Sequence, residues 1–223
     1  MFGLELYKNS AENIKVVCFG AHCDDIEIGC GGTLLSLLEN HSNTEVYWVV
    51  FSSDLRRAKE ARSSANIFLN RAGRKDIQIN KYRNGYFPYI GSEIKDHFEE
   101  IKGKISPDIV FTHYREDLHQ DHRTISELTW NTFRNNLILE YEIPKYDGDL
   151  GTPNLFFPLE SSVCDYKINN ILASFKTQLN KHWFTEELFR SMLRIRGMEC
   201  GSITDYAEAF YCRKLSVAIS TKK

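Results

Sequence analysis

His22, Asp24 and Asp25 stand within four positions of one another in GAHCDDIEIGCGGTLL (20–35). A second group, Asp117, His119, Asp121 and His122, lies in YREDLHQDHRTISEL (114–128). Groups of this kind are costly to bury without partners. A catalytic zinc takes three protein ligands drawn from His and Asp/Glu and leaves one position for water. The two groups together hold enough donors for such a centre. His119 and His122 are three apart, so on a helical turn they share a face. Asp121 is then free to orient a histidine from outside the ligand set. Asp24 and Asp25 are neighbours and point in different directions on an extended loop, so one can bind metal while the other faces the bound water.

Plainer readings exist for each piece. An Asp pair after a strand is a common helix N-cap, and a lone His-x-x-His is often a solvated helix face. Gly29–Gly32 (GCGG) resembles a phosphate-cradling loop, the mark of a dinucleotide site. However, G-x-G-x-x-G directly after the strand is missing, and Asp24, Asp25 and Glu27 would repel a pyrophosphate. The glycines are better explained as letting a helix over 33–39 pack closely beneath the ligand loop. Glu27 suits the start of that helix, where the dipole favours a carboxylate. Two clusters at two strand ends favour the metal over the separate plain readings.

The elements that must position them follow from periodicity. KVVCFGA (15–21), EVYWVVF (45–51) and DIVFTH (108–113) are short apolar runs rich in β-branched and aromatic residues, which predicts strands covered on both faces. Between them lie helix-period segments. One stacks Leu34, Leu35, Leu37 and Leu38, a second Ala58, Ala61, Ala65 and Phe68, and a third Ile94, Phe98, Ile101 and Ile105. The alternation predicts right-handed βαβ units in a Rossmann-like, doubly wound, mostly parallel sheet, a three-layer α/β/α fold. Residues 141–162 carry three of the five prolines and read as irregular. Helices are expected at about 165–180 and 184–197, the latter with Phe184, Leu188, Met192 and Ile195 in phase. One domain over 1–223, with a C-terminal elaboration, is the expected organisation. In such folds ligands bind at the C-terminal ends of the strands, where both clusters fall.

The 223 residues suit one α/β domain, and the net charge of −2 offers no basic field for nucleic acid. Six scattered cysteines and a start, MFGLELYKNSAENIK, without a basic then apolar leader suggest reduced thiols and a cytoplasmic location. No run approaches the ~18 apolar residues of a membrane span, so no stable membrane insertion is expected. The sequence is compatible with a homo-oligomer and does not fix the oligomeric state.

At these residues the chain resembles the LmbE/PIG-L family of zinc-dependent N-deacetylases, which act on N-acetylglucosamine-containing molecules. The family pattern A-H-P-D-D-x-E-x-G-x-G-G-T, with a later H-x-D-H, is met by AHCDDIEIGCGGT (21–33) and HQDH (119–122). RRAKEA (56–61), YEIP followed by PNLFFPL (141–159), and RIRGMECGSITDYAEAF (194–210) resemble further family segments. The resemblance implies His22, Asp25 and His122 as ligands of Zn2+, or of another divalent transition metal such as Fe2+. It implies Asp24 as general base, His119 as a cationic group near the developing oxyanion, and Asp121 as the partner that orients His119. The implied reaction removes acetate from an N-acetylglucosamine-like small molecule. An amidase cleaving a larger acyl group from an amino-sugar or thiol conjugate is the alternative, and a metal-poor sugar-binding relative the third reading. Cys23 replaces the family proline and is expected to point away from the metal. Asp117 stands where some relatives place a tyrosine, and could contact a sugar hydroxyl. Arg56 or Arg57 could reach a substrate hydroxyl or phosphate. His113 could line the pocket, and residues 83–92 and 141–162 should set its depth.

Overall fold

The computed structural model describes residues 3–4 and 13–217. Most of the opening stretch read for a leader therefore lies outside the described residues. Seven strands form one sheet in the order β3-β2-β1-β4-β5-β7-β6. The first five are β1 (Lys15–Gly20), β2 (Glu45–Val50), β3 (Arg74–Ile79), β4 (Ile109–His113) and β5 (Leu137–Tyr141). All five run parallel, whereas β6 (Leu155–Leu159) and β7 (Tyr206–Tyr211) add an antiparallel edge. The helices are α1 (Asp25–Asn40), α2 (Leu55–Phe68), α3 (Gly91–Lys104), α4 (Gln120–Phe133), α5 (Ser161–Ser174) and α6 (Glu186–Cys200). Val16, Cys18, Trp48 and Phe111 face one apolar layer, and Val17, Phe19, Val49 and Val110 face the other. A sheet buried on both faces explains why the strand sequences do not alternate.

The sequence order reverses direction at β1 and β4, which are neighbours in register from Val16↔Ile109 to Cys18↔Phe111. That is the topological switch point, where two successive strand ends open a crevice. Both polar clusters are delivered to it.

Three expectations need correction. The glycine-rich stretch is helix from Asp25 onward rather than loop, and its glycines are closely packed. A Cβ at Gly29 would run into the Tyr141 ring, at Gly31 into Phe68, and at Gly32 into Leu159. The "irregular" 141–162 segment contains β6, hidden from periodicity because it is a short edge strand carrying Pro158. In α6 the buried side is Phe189, Leu193, Arg196 and Gly197, one position out of phase with the expected set; Ile195 is exposed. Burying Arg196 on Glu142 (2.8 Å) turned the helix away from its most apolar reading.

The middle of α1 is held by a buried ion pair. Glu208 of β7 accepts from Gly32 N and Thr33 N at 2.7 Å each, and Lys167 of α5 donates to Glu208 at 2.6 Å and to the Ile28 carbonyl at 2.7 Å. Every charge in the pair has hydrogen-bond partners, the condition under which such a pair is tolerated. Among the described residues no helix is long and apolar enough to cross a membrane.

Candidate metal centre

The chain leaves β1 at Gly20, turns through His22 and Cys23, and enters α1 at Asp25. Asp24 occupies the N-cap position yet makes no capping hydrogen bond. Its carboxylate instead accepts from Arg57 Nη2 at 2.6 Å, which removes the plain capping reading. Asp25 reaches back, its Oδ2 accepting from His22 N at 2.6 Å. After β4, Asp117 turns the second loop by accepting from His119 N at 2.8 Å. His119 is the N-cap of α4, its Nδ1 accepting from Asp121 N at 3.2 Å.

These turns bring three donor atoms together. His22 Nδ1 and His122 Nε2 are 3.0 Å apart, His22 Nδ1 and Asp25 Oδ2 3.5 Å, and His122 Nε2 and Asp25 Oδ2 3.7 Å. A tetrahedral ion with bonds of about 2.1 Å separates its ligand atoms by roughly 3.4 Å. The observed triangle brackets that value, so the His₂Asp set fits a divalent transition metal. His119 lies beside it, its ring stacked on His122 with centroids 4.6 Å apart. His113 is also close, Nε2 to Asp25 Oδ2 being 3.1 Å, but that nitrogen already accepts from Ala21 N and the ring is wholly buried. His22, Asp25 and His122 line the cavity at the switch point, and His113 does not.

The outer partners of the ligands fix which nitrogen faces inward, the usual task of such partners. His122 Nδ1–H donates to Asp117 Oδ2 at 2.9 Å, leaving Nε2 inward. His22 Nε2–H donates to Asn84 Oδ1 at 2.9 Å and stands 3.4 Å from Asp121 Oδ2, leaving Nδ1 inward. Lys145 in turn donates to Asp117 Oδ2 at 2.9 Å and to Asp149.

Electrostatics agree with this division. Burial alone would lower the His22 pKa, but hydrogen bonds to Asp121 and Asp25 outweigh it and raise the group to about 10. Burial and the adjacent His113 push His122 down to about 3. Burial works to raise Asp25, yet the His122 and His113 rings against it hold its carboxyl well below the usual range. Burial lifts Asp24 above the ordinary carboxylate value, against the pull of Arg57.

Several expected roles change in the fold. The Asp121 carboxylate does not orient His119; it accepts from Gly85 N at 2.6 Å and Phe87 N at 3.1 Å and flanks His22. It sits in the first turn of α4, facing the 84–87 loop, and only its backbone N–H reaches His119. Burial and a charged His22 lower the His119 pKa in the metal-free site. Asp117 is buried and fully engaged by His122, Lys145 and His119 N, so it is closed to a sugar hydroxyl. Arg56 is exposed and outside the cavity lining, whereas Arg57 lines it. Cys23 is buried with Sγ donating to the Ser52 carbonyl, and burial pushes its thiol up to about 12, so it stays away from the ligands. Glu27 is fully buried, and neither of its oxygens has a hydrogen-bond partner among the described residues. Burial raises its carboxyl well above the usual range, so the proposed helix-dipole role for a charged Glu27 does not hold.

Asn84 and Lys145 fall within the segments expected to set the pocket's depth, 83–92 and 141–162, though neither was singled out, whereas Gln178 and Trp183 were missed. All four line a cavity of about 180 Å³. Asn84–Gly85 carried a turn signal, with Gly85 at φ +78°. Gln178 and Trp183 carried none.

The fold is shared with solved structures of low sequence identity. The conserved protein TT1542 from Thermus thermophilus is 19% identical, covering 94% of this chain and 99% of its own, with a TM-score of 0.71. N,N'-diacetylchitobiose deacetylase from Pyrococcus horikoshii is 21% identical over 89% of this chain and 83% of its own, TM-score 0.63. The 4-carboxy-2-hydroxymuconate hydratase GalB from Pseudomonas putida KT2440 is 14% identical over 94% and 100%, TM-score 0.69. A hydratase and a deacetylase on one scaffold mean that shape alone does not select the reaction. The sequence pattern is more specific. The family described as PIG-L: GlcNAc-PI de-N-acetylase matches residues 17–133, a span that runs from the first cluster through the second. On that match, over half its length and across both polar clusters, the chain belongs to the PIG-L family.

Proposed function

We propose that the protein is a metal-dependent N-deacetylase that releases acetate from an N-acetylglucosamine-like amino sugar. The observation that carries this reading is the 3.0, 3.5 and 3.7 Å triangle of His22 Nδ1, His122 Nε2 and Asp25 Oδ2, with Asp24 lining the same cavity. Those three atoms would hold Zn2+, although two imidazoles and a carboxylate also suit Fe2+. A metal bound there supplies Lewis-acid polarisation of the amide carbonyl and lowers the pKa of a water toward about 7.

The remaining chemistry belongs to the chain. Asp24 Oδ1 is bonded to Arg57, which leaves Oδ2 to take a proton from water as its oxygen attacks the acetamide carbon. A carboxylate lifted by burial is a better base than an exposed one. His119 Nδ1 accepts from Asp121 N, so the neutral ring carries its proton on Nε2 and donates to the tetrahedral oxyanion. One donor of this type is commonly worth about 3–4 kcal/mol. Asp24 then passes its proton to the departing nitrogen, the C–N bond breaks, and acetate and the free amine leave.

The test is acetate release from N-acetylglucosamine before chelation, after chelation, and after zinc or ferrous iron is restored. Activity should vanish with the metal and return with it. Activity that survives complete chelation would remove the metal from the mechanism, and release of only longer acyl groups would favour the amidase alternative.

A further inference from the structure

Beyond the metal ligands the cavity opens through an aromatic corner. Tyr146 and Trp183 both line it, their rings 6.5 Å apart and nearly perpendicular at 86°. Tyr146 is 64% exposed and Trp183 is half-buried, so both side chains keep surface within reach of a ligand. Asp147 and Lys181, of opposite charge, line the same opening. A single exposed aromatic is ordinary on a protein surface. Two that meet at a right angle in the cavity of a metal centre call for a different reason.

Both rings are held by elements that also build the centre. Tyr146 rides on the turn 145–149, where Gly148 has φ +65°. One foot of the turn, Lys145, donates to Asp117 Oδ2 at 2.9 Å and to Asp149. The other foot, Asp149, accepts from Leu118 N at 2.7 Å. The turn is thereby fastened to the loop that carries the partner of His122. Trp183 meets the buried Phe184 edge to face, with centroids 5.5 Å apart at 72°. Phe184 packs in the same manner on Phe175 and Phe189. The short helical turn Lys176–Gln178 is clamped to α2, where Glu60 accepts from Thr177 N at 3.0 Å and from Thr177 Oγ1 at 2.6 Å. Surfaces fixed in advance lose little entropy when a ligand arrives.

Shape and place define what the corner takes. Aromatic rings favour offset or edge-to-face neighbours, so a flat ring laid on one of the two faces turns its edge to the other. Asp147 and Lys181 supply polar partners for groups on the rim of that ring. An acyl chain has neither a face nor a polar rim to match them. Place follows from burial. The amide must reach Asp25 and His122, which are 3% and 2% exposed, whereas Tyr146 stands on the solvent side. What lies on Tyr146 is therefore remote from the acetamide, and in an amino-sugar glycoside the remote part is the aglycone. We infer that Tyr146 and Trp183 form a subsite for a second ring. The substrate is then a glycoside with a cyclic aglycone, a further pyranose or an aromatic group, rather than a free monosaccharide. This deepens the deacetylase reading and rests on it for the reacting sugar.

The experiment measures acetate release from three glycosides of N-acetylglucosamine: methyl, phenyl, and the disaccharide with glucose. Wild type should favour at least one ring-bearing probe over the methyl glycoside by about 3- to 10-fold in kcat/KM, the scale of one aromatic contact. The larger gain tells an aromatic aglycone from a sugar. Tyr146→Ala and Trp183→Ala should each lower kcat/KM on that probe several-fold more than on the methyl glycoside, and Trp183→Phe should keep the preference. Tyr146 is largely exposed, so its variant decides the matter should Trp183→Ala fail to fold. Equal rates on all three probes in wild type, or equal losses on all three in the variants, would overturn the subsite. Losses seen with methyl N-butanoylglucosaminide and not with the ring-bearing probes would assign the corner to the acyl group and overturn it too. Should wild type hydrolyse none of them, the deacetylase reading fails by itself, and calorimetry with the same glycosides decides the subsite. Tighter binding of a ring-bearing probe that Tyr146→Ala abolishes supports it, and equal or absent binding overturns it.

Discussion

The two walls of the cavity are built on opposite terms. On the wall made by the ends of β1 and β4, polar side chains hold one another: Asn84 on His22, Asp117 on His122, Lys145 on Asp117. On the outer wall, made by the 145–149 turn and the 176–183 stretch, Tyr146 and Trp183 keep exposed surface. A site for a bare cation needs its ligands locked in advance, because the ion offers charge and no directional bonds of its own. A site for a ring must leave its aromatic faces open, because the ligand supplies what covers them. The closed wall lies within residues matched by the family, apart from Lys145, while Tyr146 and Trp183 lie beyond them.

The contrast can be broken most severely at Asp24. Asp24→Asn keeps the shape of the closed wall while removing the base, so turnover should fall about 10²- to 10⁴-fold with metal content unchanged by elemental analysis. Unchanged turnover would place the base elsewhere, and lost metal would put Asp24 among the ligands. Next comes Asp117→Asn, which loosens His122 from behind. Metal affinity should drop about 10- to 100-fold in a competition assay with a zinc indicator, while binding of the sugar product changes little. A variant with full metal affinity would show that the hydrogen bond to His122 is incidental.

The smallest effect sharpens the contrast through pH. The His22 pKa in the metal-free site is raised from 6.5 to about 10, so the ring still holds its proton at neutral pH and must release it to bind metal. Raising the pH therefore favours the metal. Zinc affinity should climb about tenfold per unit between pH 6.5 and 8, one proton leaving per ion bound. Binding heats measured in buffers of different ionisation enthalpy report that proton directly. A flat profile would mean that His22 is neutral before the ion arrives.

Much of this was written locally. The apolar runs at 15–21, 45–51 and 108–113 announced a parallel sheet because strands buried on both faces need no polar alternation. His22 and Asp25 were legible as candidate donors because they follow the end of β1 closely, and His122 because its cluster opens in the connection after β4, on the same edge of a parallel sheet. Expectations failed where a side chain's partner lies far along the chain. Asp121 faces the 84–87 loop rather than its near neighbour His119. Gly29, Gly31 and Gly32 sit inside a helix because Tyr141, Phe68 and Leu159 press against it. The α6 phase is set by the Arg196–Glu142 pair, 54 positions apart.

By itself, then, the sequence determined the layered fold, the strand ends that bear the chemistry, and the donor types offered to a cation, since all three depend on period and spacing. Only the tertiary structure decided which ring nitrogen faces inward, which aspartate is locked and which is raised by burial, and that Trp183 joins Tyr146 in the cavity. Those properties come from desolvation and from contacts across the chain, such as Glu60 with Thr177 at a separation of 117 residues, and no local pattern encodes them.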